Sequence, residues 1–220
     1  MTLLGIKRRQ LKLFEAILAG DWAEVVFRSN SKEARQYHGV VYDERPEKVR
    51  LLPLHLACLY NPPLEVVESL VAAYPEALRD RDTTFRRTPL HFALLKCASA
   101  EVIAFLIKSD LDRVAARSKD RVGRLPLHYA MCSHSSLGTV EMLCNAFPLA
   151  AREQDVNGWL PFHVGCAYGM SQDLFLYLYK IYPDALYTTT TRGDLTPLQC
   201  AQRNGRTREC QMLVSLQNNV

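Results

Sequence analysis

Apolar residues along this chain fall at helical spacing in pairs of short runs. Each pair is set apart from the next by a polar stretch of about ten residues. Leu54, Leu56 and Ala57 lead to Val66, Val67, Leu70 and Val71, and Leu90, Phe92 and Ala93 lead to Val102, Phe105, Leu106 and Ile107. The pattern predicts helix pairs at 53–60 with 64–74, 88–97 with 100–109, 126–132 with 139–146, 161–168 with 171–180, and 197–204 with 206–216. A weaker pair precedes them. It uses Phe14, Ala16 and Ile17, then Trp22, Val25 and Val26, turned at Gly20-Asp21 with Asp21 placed to cap its second helix. Between the pairs, 79–88, 116–125, 151–160 and 187–196 read as extended, hairpin-like fingers. Gly123 and Gly158 mark two of their turns, whereas Arg86 holds the same place in another. Residues 31–50 are polar and irregular, and fit either a mobile loop or an ordered insert.

Each first helix opens on a recurring tetrapeptide. It reads Pro53-Leu54-His55-Leu56, Pro89-Leu90-His91-Phe92, Pro126-Leu127-His128-Tyr129, Pro161-Phe162-His163-Val164 and, without the histidine, Pro197-Leu198-Gln199-Cys200. The prolines are spaced by 36, 37, 35 and 36 residues, the signature of repeated units that bury their apolar faces on one another. Proline suits the first helical turn, because its φ is already helical and its missing N–H would have no partner there. Thr88 and Thr196 can cap these starts; Leu52, Leu125 and Leu160 cannot, so those starts are expected to be weaker. Tyr74-Pro75, Phe147-Pro148 and Tyr182-Pro183 close second helices, and their rings are expected against the next unit.

The chain has 220 residues, of which 48% are hydrophobic and 23% charged, a balance of neither a disordered nor a membrane protein. A net charge of +4 does not by itself call for nucleic acid. Seven cysteines, an odd number scattered through helical segments, argue for a reducing intracellular compartment over a disulfide framework. No signal peptide or membrane-spanning stretch is evident. Lys7, Arg8, Arg9 and Lys12 read as the solvated face of a capping helix. His55 with Cys58, and His163 with Cys166, share helix faces and invite a catalytic or zinc reading. Their recurrence at one repeat position favours a structural role, so no catalytic residue, metal or cofactor is expected.

The pattern resembles the ankyrin repeat, on Thr88-Pro89-Leu90-His91-Phe92-Ala93, Pro53-Leu54-His55-Leu56-Ala57-Cys58 and Asp155-Val156-Asn157-Gly158-Trp159-Leu160-Pro161-Phe162-His163. Units of 35–37 residues exceed the family's usual length of about 33. The resemblance implies an all-α, ankyrin-type helix–turn–helix solenoid with short β-hairpin fingers, in which the imidazoles bond the adjoining finger's backbone. It implies one repeat domain over 1–220: a capping unit at 1–30, a connecting insert at 31–45, and repeats at 46–78, 79–115, 116–150, 151–186 and 187–220. Its usual activity is binding another protein through finger tips and first-helix ends. Those places hold Arg87, Arg124 and Trp159 two before a proline, Lys48, Arg121 and Arg192 five before, and Tyr60, Lys96 and Tyr168 seven after.

Counted in order, the four fingers carry +2, +3, −1 and 0. The expected partner is therefore a protein with an acidic or phosphorylated segment lying across Arg87, Arg121 and Arg124, with Trp159 as aromatic anchor. Nucleic acid ranks below this, and neither a membrane nor a small-molecule substrate is expected. The alternative is a structural or self-associating spacer or regulatory module, expected because the last unit looks unshielded.

Overall fold

The computed structural model describes residues 12–29, 32–41 and 48–217, so the basic segment Lys7–Arg9 lies outside the described residues. The chain forms two compact units, Met1–Arg121 and Val122–Val220.

In the first unit, helices α1 (Lys12–Ala19), α3 (Pro53–Leu59) and α5 (Pro89–Leu95) make one layer, each packed on the next. Helices α2 (Trp22–Arg28), α4 (Leu64–Ala73) and α6 (Ala100–Ser109) make the second layer in the same order. The core between the layers holds Phe14, Ile17, Leu54, Leu70, Leu90 and Leu106, all essentially buried. Asp21 caps α2 as expected, its carboxylate accepting from the Glu24 N–H at 3.1 Å. The insert is ordered where it is described. A 3-10 turn at Lys32–Arg35 carries Glu33, whose carboxylate accepts from the Leu13 N–H at 2.8 Å and so serves the start of α1. Strand β1 (His38–Val41) then pairs antiparallel with β2 (Lys48–Leu51), with Gly39 opposite Arg50. A short helix α7 (Val114–Arg117) follows α6.

In the second unit, α8 (Pro126–Cys132), α10 (Pro161–Tyr168) and α12 (Pro197–Arg203) pack in series. Their partners are α9 (Leu137–Ala146), α11 (Gln172–Ile181) and α13 (Thr207–Gln217). Phe162 and Phe175 meet at the centre with ring centroids 5.3 Å apart. The last pair is better shielded than its sequence suggests. Gln199, Gln202, Arg203, Gln211 and Ser215 take its exposed positions, although Val214 stays exposed among them.

The aromatic–proline endings do more than stop a helix. Tyr74 and Tyr182 swing to extended backbone (φ −149° and −144°), as the residue before a proline must. Pro75 and Pro183 then open new 3-10 turns at Pro75–Leu78 and Pro183–Leu186. The Tyr74 ring reaches the following finger, its hydroxyl donating to Asp80 at 3.3 Å, and cations also stack on these rings, Arg35 over Tyr74 and Arg152 over Tyr182. The repeat without this ending uses a buried carboxylate instead. Asp110 accepts from the Ala115 N–H at 2.6 Å and from Arg79 Nε at 2.8 Å.

All seven cysteines are free, with Cys97 exposed and Cys58, Cys144, Cys166 and Cys200 buried. Burial pushes the Cys58 thiol up to about 12, and the Cys144 and Cys200 thiols to about 11. Among the described residues no helix is long and apolar enough to cross a membrane.

Phe162→Ala is expected to cost about 3–5 kcal/mol of stability, through lost burial and the cavity left against Phe175. Urea denaturation followed by circular dichroism measures this; an unmoved midpoint would remove Phe162 from the core.

Candidate functional site

The histidines are fixed by two opposite backbone demands. Nδ1 of His55, His128 and His163 accepts from the N–H of Leu52, Leu125 and Leu160 at 3.2, 3.1 and 3.2 Å. A leucine start is therefore not left uncapped: the imidazole three residues on takes the N–H that opens the helix. His91 does the same for Thr88 at 3.1 Å, with the Thr88 hydroxyl also at 2.9 Å. Because Nδ1 accepts, the proton sits on Nε2, which donates across to the following finger. The acceptors are the carbonyls of Asp80 for His55 (3.0 Å), Trp159 for His128 (3.0 Å), and Thr188 with Leu195 for His163 (3.0 and 3.2 Å).

Both nitrogens of these three rings are thus engaged, and the neighbouring Cys58 thiol is held protonated by burial. This arrangement satisfies backbone groups; it activates no nucleophile. Among the described residues, no group of three or more His, Cys, Asp or Glu is placed to hold a metal. Burial lowers His55 to about 4, partly offset by its bond to the Asp80 carbonyl, and burial lowers His163 as well. In the fifth repeat Gln199 Oε1 accepts from the Thr196 N–H at 2.9 Å, and Thr196 Oγ accepts from the Gln199 N–H at 3.3 Å.

The fingers are built around inward-facing side chains. Asp82 accepts from the N–H groups of Thr84, Phe85 and Arg87 at 2.9, 2.7 and 2.7 Å. Asp155 accepts from Asn157 and Trp159 at 2.9 and 3.0 Å, and Thr190 Oγ from Leu195 at 3.1 Å. Backbone bonds close these fingers: Asp82 donates to the Arg87 carbonyl, Asp155 to that of Trp159 and Thr190 to that of Leu195, and Arg86 and Gly158 donate back to the carbonyls of Asp82 and Asp155. The turn needs a left-handed residue, supplied by Gly123 (φ 80°), Gly158 (φ 78°) and, at the same place, Arg86 (φ 57°). At Gly158 a Cβ would also stand 2.3 Å from the Thr191 nitrogen, so the fingers touch there through backbone alone.

Backbone bonds join successive fingers inside each unit. In the first, Thr83 donates to the Arg50 carbonyl (3.4 Å) and Arg121 to that of Phe85 (2.8 Å). In the second, Val156 donates to Val122 and Thr191 to Asn157, both at 3.0 Å.

The first unit holds five of the candidate residues. Lys48 is placed by its backbone in β2. Tyr60 and Lys96 cap the C-termini of α3 and α5, which pack together, and both side chains are exposed, Tyr60 by 40%. Arg87 stacks on Phe85 with its guanidinium 4.5 Å from the ring centroid. Arg121 is exposed and donates Nη1 to the Thr84 carbonyl at 3.3 Å, so Arg87 and Arg121 share one finger row.

The second unit holds the other four. Tyr168, exposed by 47%, ends α10, and Arg192 is exposed on the last finger. Arg124 keeps 36% of its side chain exposed and donates Nε to the buried Asp155 carboxylate at 3.1 Å. Trp159 is half-buried, its ring 6.2 Å from that of His163. Two further cations of the first unit's finger row, Arg81 and Arg86, stand outside the candidate contacts read from the sequence, which marks Arg86 only as a turn residue. The usable signal was an arginine standing where sibling turns have glycine.

A family model described as ankyrin repeats, in three copies, matches residues 54–152. Over 122 residues the chain is 36% identical to the probable 26S proteasome regulatory subunit p28 of Saccharomyces cerevisiae. That stretch covers 55% of this chain and 51% of the relative, so the match spans about half of each.

Buried neutral histidine carries a pH signature. His55 falls from its ordinary 6.5 to about 4 on folding, so the folded state resists the proton that the unfolded chain takes up. Its contribution is fully present above pH 6.5 and is lost as pH falls toward 4, by about 3 kcal/mol. His163 acts in the same direction. His55→Gln keeps an acceptor like that of Gln199 and should flatten stability against pH between 6.5 and 4; an unchanged slope in urea melts across that window would exonerate His55.

Proposed function

We infer that this chain, which carries ankyrin repeats, is a non-enzymatic, intracellular module that holds another protein on the finger row of its first unit. The observation that carries this reading is the division of charge. Of the two acids of the first finger, Asp82 is turned inward onto three N–H groups and Asp80 accepts from the Tyr74 hydroxyl, while Arg87 and Arg121 remain on the outer row. A finger row stripped of its acids this way favours an acidic or phosphorylated segment of the partner. Tyr60 and Lys96 belong to the same unit and extend the surface with aromatic and cationic contacts of the kind that anchor interfaces, and the backbone of Lys48 lies in the same unit. Tyr168 and Arg192, with the half-buried Trp159 and the Arg124 that Asp155 orients, offer a second set of contacts on the other unit.

The yeast relative is named as a probable regulatory subunit of the proteasome. By that likeness the partner is a protein assembly and not a small molecule. Seven free cysteines suit a reducing compartment.

The test is quantitative affinity capture with wild type and Arg121→Glu, a surface change at a residue whose side chain bonds only the Thr84 carbonyl among the described residues. Recovery of the specific partner is expected to fall by roughly tenfold with the melting temperature unmoved. Equal recovery by both proteins would remove the finger row of the first unit as the binding surface.

A further inference from the structure

We propose that the second unit has a docking cleft of its own, away from the fingers, for an extended segment of a partner protein. That segment carries an aspartate or glutamate and, two residues on, a large apolar side chain. This surface goes beyond the finger row of the first unit and is tested separately from it.

The cleft holds about 610 Å3 and lies where α8, α10 and α12 end and where α9, α11 and α13 begin. A volume in this range admits a few side chains. The first helices open beneath the fingers and are seven or eight residues long. Cleft and fingers are therefore about 10 Å apart, at opposite ends of the same helices.

The floor is apolar, with Met131, Met170 and Leu174 buried in it. The fourth repeat makes room for this floor. Four sibling helices have alanine at their fifth position, Ala57, Ala93, Ala130 and Ala201, and α10 has Gly165. Glycine weakens a helix interior. A Cβ at Gly165 would stand 2.8 Å from Met170 Cε and 3.4 Å from Met131 Sδ, so the missing methyl is the space that the two thioether chains occupy. Such chains repack readily around an incoming side chain.

One turn further along, the rim is cationic. Gly169 has φ 91° and no side chain; a Cβ there would stand 3.3 Å from Arg206 Nη1 and 3.4 Å from Glu209 Oε1. Arg206 is anchored by its Nε on the Ala167 carbonyl at 3.2 Å, and among the described residues its Nη groups hold no hydrogen bond. Arg208 is exposed on the same rim. The one acid of the lining, Glu209, is buried and accepts from the Met170 N–H at 3.1 Å. The cleft therefore presents more positive than negative charge.

An anchored guanidinium with a free edge selects a carboxylate. Thioether floor and guanidinium stand over two glycines one helical turn apart, joined by the Gly169 N–H to the Gly165 carbonyl. That is a rise of about 6 Å. In an extended segment, side chains two residues apart point the same way at nearly that spacing. One segment can thus set its carboxylate on Arg206 and its apolar side chain on Met131 and Met170.

The test is an amide NMR titration of the whole chain with the peptide Gly-Ser-Asp-Ser-Leu-Ser-Gly, blocked at both ends so that its only charge is the aspartate. Saturable shifts are expected at the Gly169, Gly205 and Thr207 amides. Replacing the peptide's aspartate by asparagine, or its leucine by serine, should weaken binding about tenfold. Arg206→Gln should weaken it about tenfold as well. Arg208→Gln, a surface change, should weaken it about threefold with the melting temperature unmoved. Arg121→Glu should bind the peptide as wild type does.

Shifts that do not saturate, or that fall on the fingers, overturn the cleft. So does equal binding of the asparagine or the serine peptide, affinity unchanged in both Arg206→Gln and Arg208→Gln, or affinity lost in Arg121→Glu. Partner capture unmoved by Arg121→Glu, with the titration as expected, removes the finger row and leaves the cleft standing.

Discussion

The fold depends on a buried ring serving two backbone groups at once. Where a helix opens under a finger, one N–H of the start and one carbonyl of the finger lie out of reach of water. Each must find a partner or destabilise the structure. Neutral imidazole offers an acceptor and a donor on opposite sides of a rigid ring, and His55, His128 and His163 use both. Each bridge therefore ties a helix start to the finger that follows it about 25 to 32 residues later in the chain. A protonated ring could not accept, which is why the low affinity for protons and the geometry are one fact.

The same demand shapes the surface. A sharp finger has several N–H groups at its turn, and Asp82 and Asp155 are drawn inward to collect them. The charge left outside is then more positive than a count along the sequence suggests. An inward carboxylate also orients a cation beside it: Asp155 holds Arg124 by its Nε while over a third of that side chain stays exposed. The surface electrostatics thus follow from backbone bonding.

The repeat was legible because its period and its proline-led helix starts are written in residue types. The helix pairs came out close to their observed bounds, and so did the cap at Asp21. Three features were less legible. The leucine starts looked uncapped, because the capping group stands three residues later and is an unusual one. Arg86 hid a glycine-like backbone, since a strained φ leaves no mark on composition. The insert looked irregular, because a four-residue strand pair and the reach of Glu33 to the N–H of Leu13 involve spacings too short or too long for periodicity to register. Of the site, residue identity gave the arginines and aromatics. Which of them face outward depended on carboxylates that tertiary bonding had already claimed.

The buried thiols have a use beyond packing. Cys58, Cys144, Cys166 and Cys200 sit in four different helix pairs, and each is shut off from water and from ionisation while its helix stays in place. A thiol reagent can react only when that helix opens, so the chain carries a set of local clocks. Their separate reaction rates would sort the helix pairs by how readily each opens, with no label added and no residue changed.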